Sequence, residues 1–409
     1  MQLPDEFIRY TREVMGDELF ARLLRGLDEE PPVSIRLNPA KTEGLTVADG
    51  ERVPWCDEGY YLSSRPTFTF DPLLHAGCYY VQEAASMFIT HVLRHYLSAF
   101  HVQRPVSMLD LCAAPGGKST AAISVLPAGS TLMANEPNRQ RASVLSENVQ
   151  KWGHPGVTVT NNYPRDYRKS KLLFDIILCD VPCSGEGMFR KDPKAVGEWS
   201  LQNVEKCWRL QREIVSDAWH CLKPGGLMIY STCTLNTLEN EENVSWMLAE
   251  LDGCEVLPIP TDPSWNITGS LLPGFTQPVY RFIPGMSRSE GLFMVALGKG
   301  RGDDFRGNGG TRARGRENTS TLNILTPSIS RTPENPHPLT YSQALSYLRG
   351  EALTLPPDTP RGIVEVGFMG HRLGTVKNIG TRANNLYPKE WRIKTTHIPN
   401  EYEAILRHS

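Results

Sequence analysis

Cys183 and Cys233 are the two cysteines of this chain whose surroundings packing explains least. Cys183 lies in Asp180-Val-Pro-Cys183-Ser-Gly-Glu-Gly187, directly after the apolar run Phe174–Cys179. Proline and glycine stiffen that turn, and an acid precedes the thiol. Cys233 ends the run Leu227-Met-Ile-Tyr-Ser-Thr-Cys233, is flanked by hydroxyls and is followed by Glu239, Glu241 and Glu242. A thiolate is a strong nucleophile, and polar or cationic neighbours activate it. A thiol inside an apolar run is a small buried hydrophobe, which is how Cys179 reads.

Two further segments speak of a ligand. In Leu109-Asp-Leu-Cys-Ala-Ala-Pro-Gly-Gly-Lys-Ser119 a strand pattern passes through a glycine turn into a helix pattern. Such a turn lets backbone N–H groups approach a ligand closely. It has neither the P-loop spacing nor G-x-G-x-x-G. In Thr131-Leu-Met-Ala-Asn-Glu136 a carboxylate follows the glycine turn by about twenty residues, where a ribose diol is held in dinucleotide-binding folds. Loop and acid together favour an adenosine-containing cofactor.

These residues need a scaffold, and the hydropathy pattern supplies one. Short apolar runs at Val106–Leu111, Thr131–Ala134, Val157–Thr160, Phe174–Cys179, Leu227–Tyr230 and Leu292–Leu297 alternate with helix-period stretches such as Arg139–Lys151 and Leu201–Leu222. This predicts an α/β fold with a mostly parallel sheet, whose ligands lie beyond the carboxyl ends of the strands. Both cysteines, the glycine loop and Glu136 then share one edge. Residues Pro4–Leu27 read as a helix and Val33–Asn38 as a strand. The expected division is an N-terminal α+β unit at 1–78, the α/β domain at 79–298, a Gly/Arg-rich flexible linker at 299–325, and a separate β-rich unit at 326–409 with strands at Gly362–Phe368 and Arg372–Asn378.

Composition excludes several classes. A net charge of −2 argues against polyanion binding through whole-molecule charge, so a nucleic-acid partner must rest on local sites. Nine cysteines are an odd number for a disulfide framework, and no C-x-x-C pairs suggest a metal site. No apolar run has bilayer length, and MQLPDEFIRYTREV does not read as a secretory signal, so a cytoplasmic location without membrane association is expected.

The series DLCAAPGGKST, NEPN, DVPCSGEGMFRKDP and YSTCTLNTLENEENV resembles the Sun/NSUN family of RNA cytosine-5 methyltransferases over roughly residues 1–298. Leu373–Asn378 and Asn385–Lys389 resemble the RNA-binding tail of its bacterial RsmF-like members. The resemblance implies a Rossmann-like S-adenosylmethionine domain, a small N-terminal α+β subdomain and a C-terminal PUA-like RNA-binding domain. It implies that Cys233 is the nucleophile and that Cys183 assists breakdown of the covalent adduct; position alone leaves these two roles open. Carbon-5 of cytosine is too weak a nucleophile to attack a sulfonium methyl unaided, and thiolate addition at carbon-6 makes it an enamine carbon. Asp180 is then expected at the cytosine edge, with Lys118 beside it. The cofactor pocket maps to Cys112, Ala113, Ala114, Pro115, Gly116, Gly117 and Lys118, with Asp180 near by, Glu136 on the ribose and Asn161 at the third strand end, where many relatives carry an acid.

Arg36, Arg190, Lys191, Lys377 and Lys389 are candidates for RNA phosphates, with linker cations adding sequence-blind attraction. Tyr387 and Trp391 are candidates for stacking on bases. Ribosomal RNA or a small-subunit particle is the expected partner, with transfer RNA as the alternative and a monomer as the expected state. An amino-methyltransferase is disfavoured because Cys183 stands where such enzymes put an aromatic residue after the proline. A non-catalytic RNA-binding factor is disfavoured because both cysteines and Asp180 are present.

Overall fold

A computed structural model of the protein describes residues 2–300, 322–325, 335–395, 398–399 and 401–408. Helix α1 (Asp5–Asp28) starts the chain and kinks at Gly16, whose φ is 72°. It buries Phe7, Phe20 and Leu23 against Phe189 and Trp199, with the Phe7 ring 5.0 Å from that of Phe189. The N-terminal helix therefore props up the segment that follows Cys183.

The N-terminal sheet comprises β1 (Val33–Leu37), β3 (Gly50–Arg52), β4 (Gly59–Leu62) and β5 (Tyr79–Val81), in the order β3-β4-β1-β5; β2 (Leu45–Val47) lies outside it, and α2 (Pro72–His75) leads into β5. Strand β5 pairs with β1, Ile35 opposite Val81, so this sheet runs past residue 78 to the wall of the next domain.

After α3 (Phe88–Ala99) come β6 (Ser107–Asp110), α4 (Gly117–Ile123), β7 (Thr131–Asn135), α5 (Arg139–Trp152), β8 (Val157–Thr160), α6 (Pro164–Ser170), β9 (Phe174–Asp180), α7 (Pro193–Glu198), α8 (Leu201–His220), β10 (Leu222–Thr232), α9 (Glu241–Glu250), β11 (Cys254–Val256), β12 (Tyr280–Phe282) and β13 (Leu292–Lys299). The central sheet runs β11-β13-β10-β9-β6-β7-β8, with β12 also on β13. Strands β10, β9, β6, β7 and β8 are mutually parallel, and β13 is antiparallel to β10. Lys223–Gly226 is an irregularity within β10, where the register shifts between Leu222 and Leu227.

Strand periodicity explains the two apolar layers. Ile176 and Leu178 face α3, α4 and α5, whereas Ile177 and Cys179 face α8 and α9. Cys179 is fully buried there, as its run implies. Parallel strands covered on both faces direct their carboxyl ends to a common rim.

The C-terminal unit holds β14 (His337–Pro338), α10 (Tyr341–Leu348), β15 (Gly362–Phe368), β16 (His371–Asn378), β17 (Ala383–Asn385) and β18 (Leu406–His408). It is less separate than the sequence implies. Its Leu345, Tyr347 and Val376 belong to one apolar cluster with Ile35, Leu73 and Tyr79, and β18 pairs with β2. The buried Asp71 carboxylate accepts from both Tyr79 and Tyr402, joining the two units through one polar anchor.

Part of the expected flexible linker is also structured. Leu325 N–H donates to the Val159 carbonyl and Asn161 N–H to that of Asn323, so residues 322–325 extend the sheet beyond β8. The linker cations Arg301, Arg306, Arg312, Arg314 and Arg316 lie outside the described residues. Lys299 does not act as a free linker cation; its ammonium donates to the Trp219 and Leu222 carbonyls. No helix among the described residues is long and apolar enough to cross a membrane.

Candidate active site

The four singled-out strand ends meet on the rim. At the end of β6, Gly116 takes a φ of 112°, which an L side chain rarely adopts, and turns the chain into α4. Asp110 is fully buried, accepts from Ser119 Oγ at 2.6 Å and is pushed up to about 7 by burial. Burial also raises the Cys112 thiol well above its ordinary value, so this cysteine is a neutral wall residue.

At the end of β7, Glu136 is buried. One carboxylate oxygen accepts from Asn138 N at 2.9 Å; the other accepts no hydrogen bond among the described residues, although the Arg141 guanidinium lies 3.4 Å away. A buried acceptor with unused capacity beside a glycine loop fits a ligand diol, so these residues suit an adenosine-type cofactor. Asn161, past β8, donates to the carbonyls of Glu136 and Pro137 at 2.7 and 2.9 Å. Its amide nitrogen braces the glutamate turn, and only its oxygen is left for an adenine contact.

At the end of β9, Asp180 receives the Lys118 ammonium at 2.9 Å. Burial alone would lower the Lys118 pKa, and the Asp180 charge and hydrogen bond reverse this and raise it. A lined cavity of about 180 Å³ includes Tyr80, Gln82, Asp110, Gly117, Lys118 and Asp180.

The Cys183 and Cys233 sulfurs lie 3.1 Å apart, although they come from separate strand ends. The backbone N–H of Cys233 also donates to Cys183 Sγ at 3.3 Å. The hydrogen bond with Cys233, helped by burial, pushes the Cys183 thiol well above the ordinary range. The pair thus sets a thiol that strongly retains its proton in direct contact with a second sulfur.

A buried polar frame fixes the two cysteine turns, and its extent is not apparent from sequence. Glu186 accepts from Leu235 N, Asn236 N and Trp199 Nε1 at 2.7, 3.0 and 2.9 Å. Glu239 accepts from Ser184 N, Gln211 and Asn236, and burial, with Glu186 near by, raises it to about 7. Arg281 and Glu241 form a fully buried ion pair at 2.6 Å, and Arg281 also donates to the Leu235 carbonyl. Gly187 N–H donates to the Cys233 carbonyl, and a β-carbon at Gly187 would stand 2.5 Å from that oxygen. The glycine is needed for this close approach. The cluster of glutamates after Cys233 was the available signal; its partners Ser184, Gln211 and Arg281 come from other elements.

Several candidates for RNA contact are engaged elsewhere. Arg36 is fully buried, donates to Gln82 and Thr120 at 2.7 Å each, and stacks on Trp152, so it cannot reach a phosphate. Arg190 is also unavailable: its guanidinium donates to Glu290 and to the Gly26 and Ser289 carbonyls. Tyr387 is 3% exposed and packs against Tyr347, which removes it from base stacking. Trp391 is half-buried, while Lys191, Lys377 and Lys389 are exposed.

Comparison with known proteins follows this architecture. Residues 99–298 match the family described as 16S rRNA methyltransferase RsmB/F, residues 3–84 the N-terminal domain of 16S rRNA methyltransferase RsmF, and residues 334–393 the methyltransferase RsmF PUA domain. The chain belongs to this RsmF-like methyltransferase family. Its fold is accordingly a Rossmann-like methyltransferase domain with an RsmF N-terminal domain and a PUA-like domain. Ribosomal RNA small subunit methyltransferase F of Pectobacterium atrosepticum is 37% identical over 268 residues, covering 62% of this chain and 54% of that protein. The Serratia proteamaculans protein of the same name is 34% identical over 322 residues, covering 73% and 63%. The chain thus spans between half and two thirds of these relatives' length. The structure of NSun6 from Pyrococcus horikoshii with SFG shares the fold, with a TM-score of 0.58 at 22% identity, covering 72% of this chain and 98% of that one.

Proposed function

We propose that the chain is an S-adenosylmethionine-dependent RNA (cytosine-5)-methyltransferase acting on small-subunit ribosomal RNA in the cytoplasm, as a monomer. The observation that carries this reading is the pair of sulfurs 3.1 Å apart, on the same rim as the Lys118–Asp180 pair. Family membership and the names of the two curated relatives support ribosomal RNA as substrate, and the PUA-like domain supports an RNA partner.

When bound, S-adenosylmethionine supplies an electrophilic methyl group; Cys112 to Lys118, Glu136 and Asn161 are the residues proposed to hold it. Cys233, as thiolate, bonds to carbon-6 of the ring and makes carbon-5 nucleophilic. Asp180 meets the polar edge of the cytosine and, held by Lys118, is already oriented for a protonated ring nitrogen. After methylation carbon-5 must give up its proton, and the electron pair of that C–H bond expels the sulfur from carbon-6. Cys183 is assigned to this second half: its thiol, 3.1 Å from the reacting sulfur, passes its proton to the departing Cys233 sulfur and takes the carbon-5 proton in exchange. The target base must leave its stack for a thiol to reach its ring. Exposed Lys191, Lys377 and Lys389 are proposed to meet the phosphates.

Wild type, Cys183→Ala and Cys233→Ala, expressed in cells and denatured in SDS, test this. An RNase-sensitive, slowly migrating adduct is expected with Cys183→Ala alone, and sequencing its RNA identifies the substrate. An adduct in Cys233→Ala instead would exchange the two roles. No adduct in any variant, where relatives treated alike form one, would sink covalent cytosine chemistry.

A further inference from the structure

All nine cysteines are free, and among the described residues no two besides Cys183 and Cys233 share a hydrogen bond. These two follow β9 and β10, neighbouring parallel strands in register at Asp180 and Ser231. Their sulfurs stand 3.1 Å apart, and Cys183 Sγ also meets the backbone N–H of Cys233 at 3.3 Å. A disulfide bond is about 2.05 Å long, so a closure of roughly 1 Å would join them. Side-chain rotation supplies a shift of that size without moving the turns, which Glu239 holds at Ser184 N and Glu186 holds at Leu235 N and Asn236 N.

The other thiols lack this placement. Cys56, Cys78, Cys179 and Cys221 are buried, and burial raises each of them above the ordinary thiol range. Cys207 lies within electrostatic reach of Cys233, but its own contact is with Asn203 Oδ1 at 4.0 Å. Cys183 and Cys233 are only half-buried, so a small oxidant can reach them. Methylation requires Cys233 as a thiolate, and the Lys118 ammonium is near enough to balance that charge. A thiolate with a second thiol in contact is the arrangement that resolves oxidation as a disulfide.

We propose that Cys183 and Cys233 form a reversible disulfide under hydroperoxide, a redox switch that closes the active site when no base lies between the sulfurs. The proposal rests on the methyltransferase reading above and adds its regulation. In the first step the Cys233 thiolate attacks one oxygen of hydrogen peroxide, the O–O bond breaks and hydroxide leaves, giving a sulfenic acid. The Cys183 sulfur then bonds to the Cys233 sulfur, the S–O bond breaks, and the Cys183 proton departs with the hydroxyl as water. The two sulfurs lose two electrons and the peroxide gains them; a dithiol reductant reverses the change. Nucleophile and proton carrier are removed together, so the oxidised enzyme has no residual route to transfer. In a reducing compartment such a bond is transient, as in redox sensing. A cytosine bonded to Cys233 blocks the first step, so the switch acts on RNA-free enzyme.

The test uses the purified full chain without RNA, treated with increasing hydrogen peroxide, alkylated while folded, and mapped by mass spectrometry without reduction. The expected product joins the Cys183 and Cys233 peptides with loss of two hydrogens. Methyl transfer by wild type should fall in proportion to the cross-linked fraction and return with dithiothreitol. Cys207→Ser should form the same cross-link. Cys183→Ser, read by mass alone, should carry Cys233 on to sulfinic acid that dithiothreitol does not restore. Wild type that goes straight to sulfinic acid, joins Cys233 to Cys207, or leaves both thiols free in excess peroxide overturns the switch. The parent reading fails differently, through absent methyl transfer in the fully reduced enzyme, and the cross-link is read without turnover.

Discussion

Strand β9 begins near one aspartate and ends on another, and the two live under opposite regimes. Asp175, at the amino end of the sheet, is bound by Arg104, Lys223 and both the N–H and hydroxyl of Ser107, at 2.6 to 2.9 Å. Burial alone would raise its pKa, but these donors more than offset that and hold it well below the usual carboxylate range. Asp180, at the carboxyl end, has the single Lys118 bond and borders a cavity. The neighbouring buried carboxyls at that end, Asp110 and Glu239, are pushed up to about 7. The amino end therefore uses its carboxylate as cement, with every oxygen answered by the protein. The carboxyl end leaves acceptors and thiols with capacity that only a ligand can use, and surrounds them with a frame whose carboxylates are hydrogen-bonded on both oxygens.

That contrast can be broken in three ways, taken from the largest expected effect. Glu186→Ala strips the frame beneath the cysteine turns of the acceptor shared by Leu235, Asn236 and Trp199. A loss of about 3 kcal/mol or more in unfolding free energy is expected in urea titrations, together with loss of methyl transfer. Stability within 1 kcal/mol of wild type, roughly, would mean that water replaces the carboxylate and the frame is not rigid.

Asp175→Asn tests the amino end, and should cost about 2 kcal/mol at pH 7. The folded pKa of Asp175 lies below the unfolded one, so its stabilisation is complete above about pH 4 and fades as pH falls through the folded value. The difference between variant and wild type should therefore shrink in acid; a difference that is constant down to about pH 2 would assign the loss to packing instead. RNA and cofactor affinity should stay at wild-type level throughout.

Glu136→Gln gives the smallest effect and sharpens the other side of the comparison. It should weaken S-adenosylhomocysteine by about tenfold, measured by calorimetry, while the melting temperature moves by only about 2 °C. A large fall in melting temperature with intact affinity would make Glu136 another piece of cement.

Much of this rim was legible before any coordinates. The strands at Val157–Thr160 and Gly362–Phe368 have the bounds their apolar runs predict, and the glycine turn, Glu136, Asp180 and the two thiols follow their strands as expected. Strand periodicity is a local property, so it survives into the fold. The arginines were not legible in the same way. Arg36 and Arg190 look like any cation near an active-site motif, yet each is held by partners distant in sequence, Thr120 and Glu290 respectively. Residues 322–325 follow a stretch without strand periodicity, and they pair with the edge of β8 through a single bridge, Ile324 opposite Thr160.

By itself the sequence determined the parallel α/β architecture, the rim on which chemistry occurs and the identity of its reactive groups, because periodicity, glycine turns and residue type act over a few positions. Only the tertiary structure decided that the two sulfurs touch, that Glu186 and Glu239 form the frame beneath them and that the C-terminal unit shares a core with the N-terminal sheet. Each of those depends on which distant partner satisfies a buried polar or apolar group, and that is settled when the chain closes on itself.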